Sequence, residues 1–161
     1  MRPMFLSPRH TGISCVLAAL VAGGCASAPP PPPVTSAAPE ESRIIGVLDD
    51  VERGIEKHDV AAVLRHVSVF YHDAAGTDYS KLRTFLSTMF EGYETIEVER
   101  TPMIVSVQNT RAQVRERFVT RATPRPGTGV SPIDQVGYVV VRLERVAGDW
   151  LITEWAAAAE Q

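Results

Sequence analysis

Near Gly92 the spacing of apolar side chains changes from helical to extended, and this change fixes the class of fold open to the chain. Upstream, Ile44, Leu48, Val51 and Ile55 recur at steps of four, three and four, so they share one face of an amphipathic helix. Asp49, Asp50, Glu52, Arg53 and Glu56 fill the other face. Asp59 is suited to cap a short second helix carrying Val63, Leu64 and Val67. A strand is expected around Val69–Asp73, running into the turn Ala74-Ala75-Gly76. Asp78 caps a third helix whose stripe is Leu82, Phe85, Leu86, Met89 and Phe90.

Beyond Gly92 the alternation is every second residue. Ile96 and Val98 alternate with Thr95, Glu97 and Glu99; Ile104 and Val105 lie in a second extended segment; Gln108-Asn109-Thr110 reads as a hairpin turn. Ala112, Val114, Glu116, Phe118 and Thr120 share one side of a long strand, with Gln113, Arg115, Arg117, Val119 and Arg121 on the other. A Pro/Gly loop over Thr123–Pro132 leads to a strand over Gln135–Val146, and Gly148-Asp149 turns it into Trp150–Trp155. Three helices, one strand between them and an antiparallel run of four strands define an α+β order. A sheet curled around those helices forms a cone with one open end.

Residues 1–40 are of a different kind. Arg2, Arg9 and His10 precede the ten-residue apolar run Ile13–Ala22, and Gly23-Gly24-Cys25 follows. A membrane-spanning helix needs about 20 apolar residues, so this run has the length of a signal-peptide core instead. Ala22-Gly23-Gly24-Cys25 resembles a bacterial lipobox, with Ala22 where Leu is usual. The resemblance implies a lipoprotein signal peptide over 1–24 and lipid on Cys25. The competing cleavage after Ala28 would place Pro29 next to the cut, which disfavours it. Cys15 would be discarded and Cys25 acylated, leaving no thiol for a disulfide. Five prolines, Pro29–Pro33, favour an extended rod, so 25–40 reads as a lipidated tether and 41–161 as the folded domain. With Ala26 after the cysteine, the expected location is the outer membrane facing the periplasm. Without Arg2 and Arg9, 14 basic side chains stand against 19 acidic ones. Nothing basic is left over to bind nucleic acid or anionic headgroups.

The folded part resembles the nuclear transport factor 2-like superfamily, with its SnoaL-like and ketosteroid-isomerase-like members. The resemblance rests on Glu56-Lys57-His58-Asp59-Val60, on Tyr71-His72-Asp73-Ala74-Ala75-Gly76, and on the ending Leu143–Ile152. It implies a cone with a pocket at its wide end, frequent homodimers, and functions that differ widely among members. It also places Asp73 where related isomerases carry a general base, with His72 beside it. A carboxylate in an apolar cone holds its proton more tightly and is suited to take one next to a carbonyl. The oxyanion donor of those isomerases falls near Val51, which donates nothing, and their second donor has only an echo in Asp134. Asp73 as a turn or helix cap is the competing reading.

Glu116 is the one acid on an otherwise apolar strand face, directed into the cone if the strand is regular, with Arg142 as its expected partner. Tyr71, Asp73, Tyr79, Glu116, Tyr138 and Arg142 are the expected pocket groups, with Tyr79 and Tyr138 as candidate donors. Arg115, Arg117 and Arg121 facing Glu97 and Glu99 read as a cross-strand salt ladder. His58, His66 and His72 lack the spacing of a metal site, and neither a phosphate loop nor a nucleophile elbow is present. No cofactor is expected. The leading expectation is a lipid-anchored, non-catalytic binding or interaction domain, dimeric through its sheet, taking a small apolar or amphipathic ligand. The alternative is a cofactor-free isomerase, dehydratase or cyclase using Asp73. A cone filled by its own side chains is a third possibility.

Overall fold

A computed structural model describes residues 37–158. The segment expected to be a signal peptide, Cys25 and the proline tract lie outside the described residues. The order is α1 (Ala37–Glu56), α2 (Val60–Leu64), α3 (Tyr79–Gly92), β1 (Tyr93–Gln108), β2 (Arg111–Pro124), β3 (Ile133–Val146) and β4 (Asp149–Ala158). The strands form one antiparallel sheet in sequence order. Its inner face packs on the helices: Ile44, Leu48 and Val51 of α1 meet Val114, Val141 and Ile152 in one core. This is the α+β architecture the change of period predicts, a curved sheet wrapped on three amino-terminal helices. Among the described residues no helix is long and apolar enough to cross a membrane.

Both predicted caps form. Asp59 accepts from the Ala62 amide and Asp78 from the Lys81 amide, each at 2.9 Å, satisfying donors that the first helical turn leaves without partners. α1 starts at Ala37, upstream of the expected boundary at 41. Pro39 is tolerated there because a first-turn nitrogen has no intrahelical acceptor. Glu40 is buried: its carboxylate accepts from Trp150 Nε1 at 2.8 Å and meets Arg145 at 3.3 Å, pinning the start of α1 to the β3–β4 hairpin.

Two extended segments differ from expectation. The pieces at 96–98 and 104–105 are one strand, β1, with an irregularity between Pro102 and Ile104. The strand expected at Val69–Asp73 does not form. Val67 makes a single parallel bridge to Ile152 and His72 a single antiparallel one to Asp78, while the Tyr71 amide turns back to the Ser68 carbonyl. The segment thus touches β4 without extending the sheet, and Phe70 is left 88% exposed. The β1–β2 hairpin turns at Asn109, as read from the sequence. The β3–β4 turn centres on Ala147 and Gly148, both at positive φ, one residue earlier than expected. That is the geometry whose twist suits a two-residue hairpin.

Candidate functional site

Between the helices and the inner face of the sheet lies a cavity of about 350 Å³. α1 supplies Leu48, Val51 and Ile55, α2 supplies Val63, and α3 supplies Leu82, Leu86 and Met89. The sheet side is formed by Ile96, Val98, Phe118, Val139 and Trp155. Phe85, 60% exposed although it lines the cavity, belongs to its solvent side. Gly137, paired with Phe118 across the sheet, explains how an aromatic ring fits this wall. A Cβ at Gly137 would stand 2.7 Å from Phe118 Cζ, so only glycine leaves the ring its place.

The cavity carries one ionic group. Arg100, nearly buried, lines it and extends its guanidinium to three carboxylates: Nε to Glu52 at 2.8 Å, Nη1 to Glu116 at 2.7 Å and Nη2 to Asp49 at 2.5 Å. Glu116 is 3% exposed, and its side chain does point into the cone. Its partner is Arg100, not the expected Arg142. Arg100 shares the inner face with Ile96 and Val98, two strand positions from the Pro102–Glu116 pair. Arg142 instead pairs with Glu154 outside the cavity lining. Burial pushes the Glu116 carboxyl above the usual carboxylate range, with Arg100 opposing and the Glu52 and Asp49 charges adding to the rise.

Asp73 is elsewhere. Its Oδ1 accepts from the Ala75 and Thr77 amides at 2.9 and 2.8 Å, and its Oδ2 accepts from the Tyr71 hydroxyl at 3.3 Å. These bonds, the Thr77 amide foremost, hold its carboxyl below the usual range, opposite to the rise expected of a base in an apolar cone. Asp73 closes the turn before α3; Asp78 caps the helix. Tyr71 is in the core, its ring 5.8 Å from Trp155, and burial with Asp73 beside it pushes its hydroxyl up to about 12. Tyr79 sits beneath the Arg83 guanidinium on a shallow groove beside α2. Of the six expected pocket groups, Glu116 lines the cavity; Tyr71, Asp73, Tyr79, Tyr138 and Arg142 do not. His72 is exposed, bridged through its backbone to Thr153.

The remaining groups do not converge. His58 stacks on Phe90, His66 lies 3.5 Å from Asp50 with its proton affinity lowered by burial, and His72 is apart from both. Among the described residues no group of three or more His, Cys, Asp or Glu side chains is placed to hold a metal ion. Arg121 meets Glu99 at 2.8 Å across the outer face, a rung of the expected salt ladder. Sequence reading missed Arg100, Asp49 and Glu52. The signal was present: Arg100 continues the alternation of Ile96 and Val98, and Asp49 and Glu52 flank the apolar stripe of α1.

No family model and no curated protein matches the chain. Solved structures do. A nuclear transport factor 2-like superfamily protein from Salmonella enterica superposes with a TM-score of 0.65 at 14% identity, covering 78% of this chain and 96% of the other. A provisional dehydratase of the NTF2-like family from Streptomyces avermitilis gives 0.64 at 11% identity, covering 77% and 99%. A provisional scytalone dehydratase from Novosphingobium aromaticivorans gives 0.63 at 13%, covering 76% and 87%. The fold is therefore the nuclear transport factor 2-like fold, a scaffold that hosts unrelated functions.

Proposed function

We propose that this chain is a lipid-anchored envelope protein whose folded domain binds a small, largely apolar ligand without transforming it. The observation that carries the reading is the cavity: hydrocarbon and aromatic on most of its wall, of ligand size, with its ionic side chains paired to one another. The acid expected to act as a base is committed to a turn outside it. The lipid on Cys25 and the proline-rich tether hold the domain on the periplasmic side of the outer membrane in this proposal. A second copy pairs across the outer sheet face, where Ile104 and Val136 are exposed.

Native mass spectrometry of the gently extracted full-length protein tests the binding. A retained small-molecule adduct that disappears in Met89→Trp, which places an indole in the cavity, is the expected result. An adduct unaffected by that substitution, or none under any extraction, overturns it. Cys25→Ala should release the protein from the membrane fraction; unchanged partitioning refutes the anchor.

A second reading, an isomerase- or dehydratase-type enzyme, is favoured by one observation. Glu116 is a buried carboxyl of raised proton affinity on the cavity wall, the state suited to general acid or base work. That reading shifts from Asp73 to Glu116, and it requires turnover that Glu116→Gln abolishes and Asp73→Asn leaves intact.

A further inference from the structure

The geometry points to an amphipathic cation as the ligand of this cavity: a small apolar body with one basic nitrogen, seated with the nitrogen toward Glu116 and Glu52. The inference rests on reading the cavity as a ligand site and adds the sign of the ligand's charge. Three carboxylates, from Asp49, Glu52 and Glu116, surround the single guanidinium of Arg100. Two of them, Glu52 and Glu116, line the cavity together with Arg100. The ionic cluster thus holds more negative charge than its cation balances, and it does so at a wall that is otherwise almost wholly apolar.

Negative charge in excess is costly there, because few polar groups are present to solvate it. Burial is the main cause of the raised proton affinity of Glu116; Arg100 opposes it, and the Glu52 and Asp49 charges add smaller increments. A monocation entering the cavity offsets part of the excess, and an anion adds to it. At the wall itself Glu52 and Glu116 stand against Arg100 alone, while Asp49, 47% exposed, adds its charge from outside the lining. Leu48, Val51, Leu86, Phe118 and Trp155 then select the rest of the molecule, which must be apolar. A volume of about 350 Å³ is near the lower end of the roughly 300–1,000 Å³ typical of ligand pockets, so the body is a short chain or single ring.

Calorimetric titration of the full chain with hexylamine, hexanol and hexanoate holds the apolar skeleton constant and varies the charge. Hexylamine is expected to bind at least about tenfold more tightly than hexanol, as a hydrogen bond to a charged group allows, with hexanoate weakest. In Glu116→Gln, and separately in the more exposed Glu52→Gln, the amine's advantage should fall several-fold while hexanol is unchanged. The Glu52 variant carries the comparison if the Glu116 variant does not fold. Equal binding of hexylamine and hexanol, or tightest binding of hexanoate, overturns the assignment of charge while leaving the cavity a ligand site. Binding of none of the three overturns both.

Discussion

Replacing Arg100 by methionine removes the only cation from a cluster of three acids while keeping most of the side chain's volume. Asp49 and Glu52 are partly exposed and can turn to water, so the penalty concentrates on Glu116. Breaking a buried pair by removing one partner costs about 3–5 kcal/mol, and the lower end applies here because Glu116 can take up a proton. That proton gives the prediction its second half. Burial already raises the carboxyl in the parent, and losing Arg100 raises it further. Between the unfolded value of about 4.3 and the raised folded value, the folded state holds a proton that the unfolded chain has lost. Stability from this group is therefore fully present below the unfolded value and declines as pH rises toward the folded one. Urea unfolding of parent and Arg100→Met at about pH 7.5 and about pH 5 should show a deficit of about 3 kcal/mol that shrinks on acidification. Adding Glu116→Gln to the variant should recover most of the loss at neutral pH. A deficit under about 1 kcal/mol, the worth of a surface pair, or one indifferent to pH would refute the description of Glu116 as a buried, proton-avid acid.

Other expectations follow from single contacts. Glu40→Ala leaves the buried Trp150 indole N–H without its acceptor and should cost about 1–3 kcal/mol in urea unfolding, with a shift in tryptophan emission; a variant as stable as the parent contradicts the tie. Gly137→Ala drives a methyl against Phe118, and overpacking of this kind costs about 1–3 kcal/mol; unchanged stability and unchanged hexanol affinity would show that the ring moves freely. Asp73→Ala should speed amide exchange at Ala75 and Thr77 without touching cavity binding, and altered hexanol affinity would contradict its placement in the turn. Because the folded Asp73 carboxyl is depressed, its support for that turn is present at neutral pH and is lost only as pH falls through the folded value.

The fold was legible because its information is periodic and local. Ile44, Leu48, Val51 and Ile55 declare a helix face without reference to anything distant, and Asp59 and Asp78 announce the helices that follow them. The alternation of Ala112, Val114, Glu116 and Phe118 likewise fixes which side of β2 faces the core. The segment at 69–73 was misread because β-branched and aromatic residues favour a strand only when an edge is free to pair along several residues. Here β4 offers one parallel bridge at Val67 and a backbone contact at His72. The site was less legible because it is an ion cluster assembled from α1, β1 and β2, whose members stand up to 67 positions apart, from Asp49 to Glu116. Glu116 was visible as an acid in an apolar row, but its choice of Arg100 over Arg142 depends on which face each arginine takes. Asp73 shows the opposite failure. An Asp ahead of a glycine turn serves its own backbone as readily as a substrate, and only the amides of Ala75 and Thr77 decide between the two.

The bond between Glu40 and Trp150 joins residues 110 positions apart. During synthesis α1 leaves the ribosome early, and β4, which completes its seat, comes more than a hundred residues later. α2 and β1 pack on the helix before then, so what waits for β4 is its near end, where Glu40 meets Trp150. Closing that end is therefore a late event, and a chain ending before β4 should leave the Glu40 carboxylate without its indole partner.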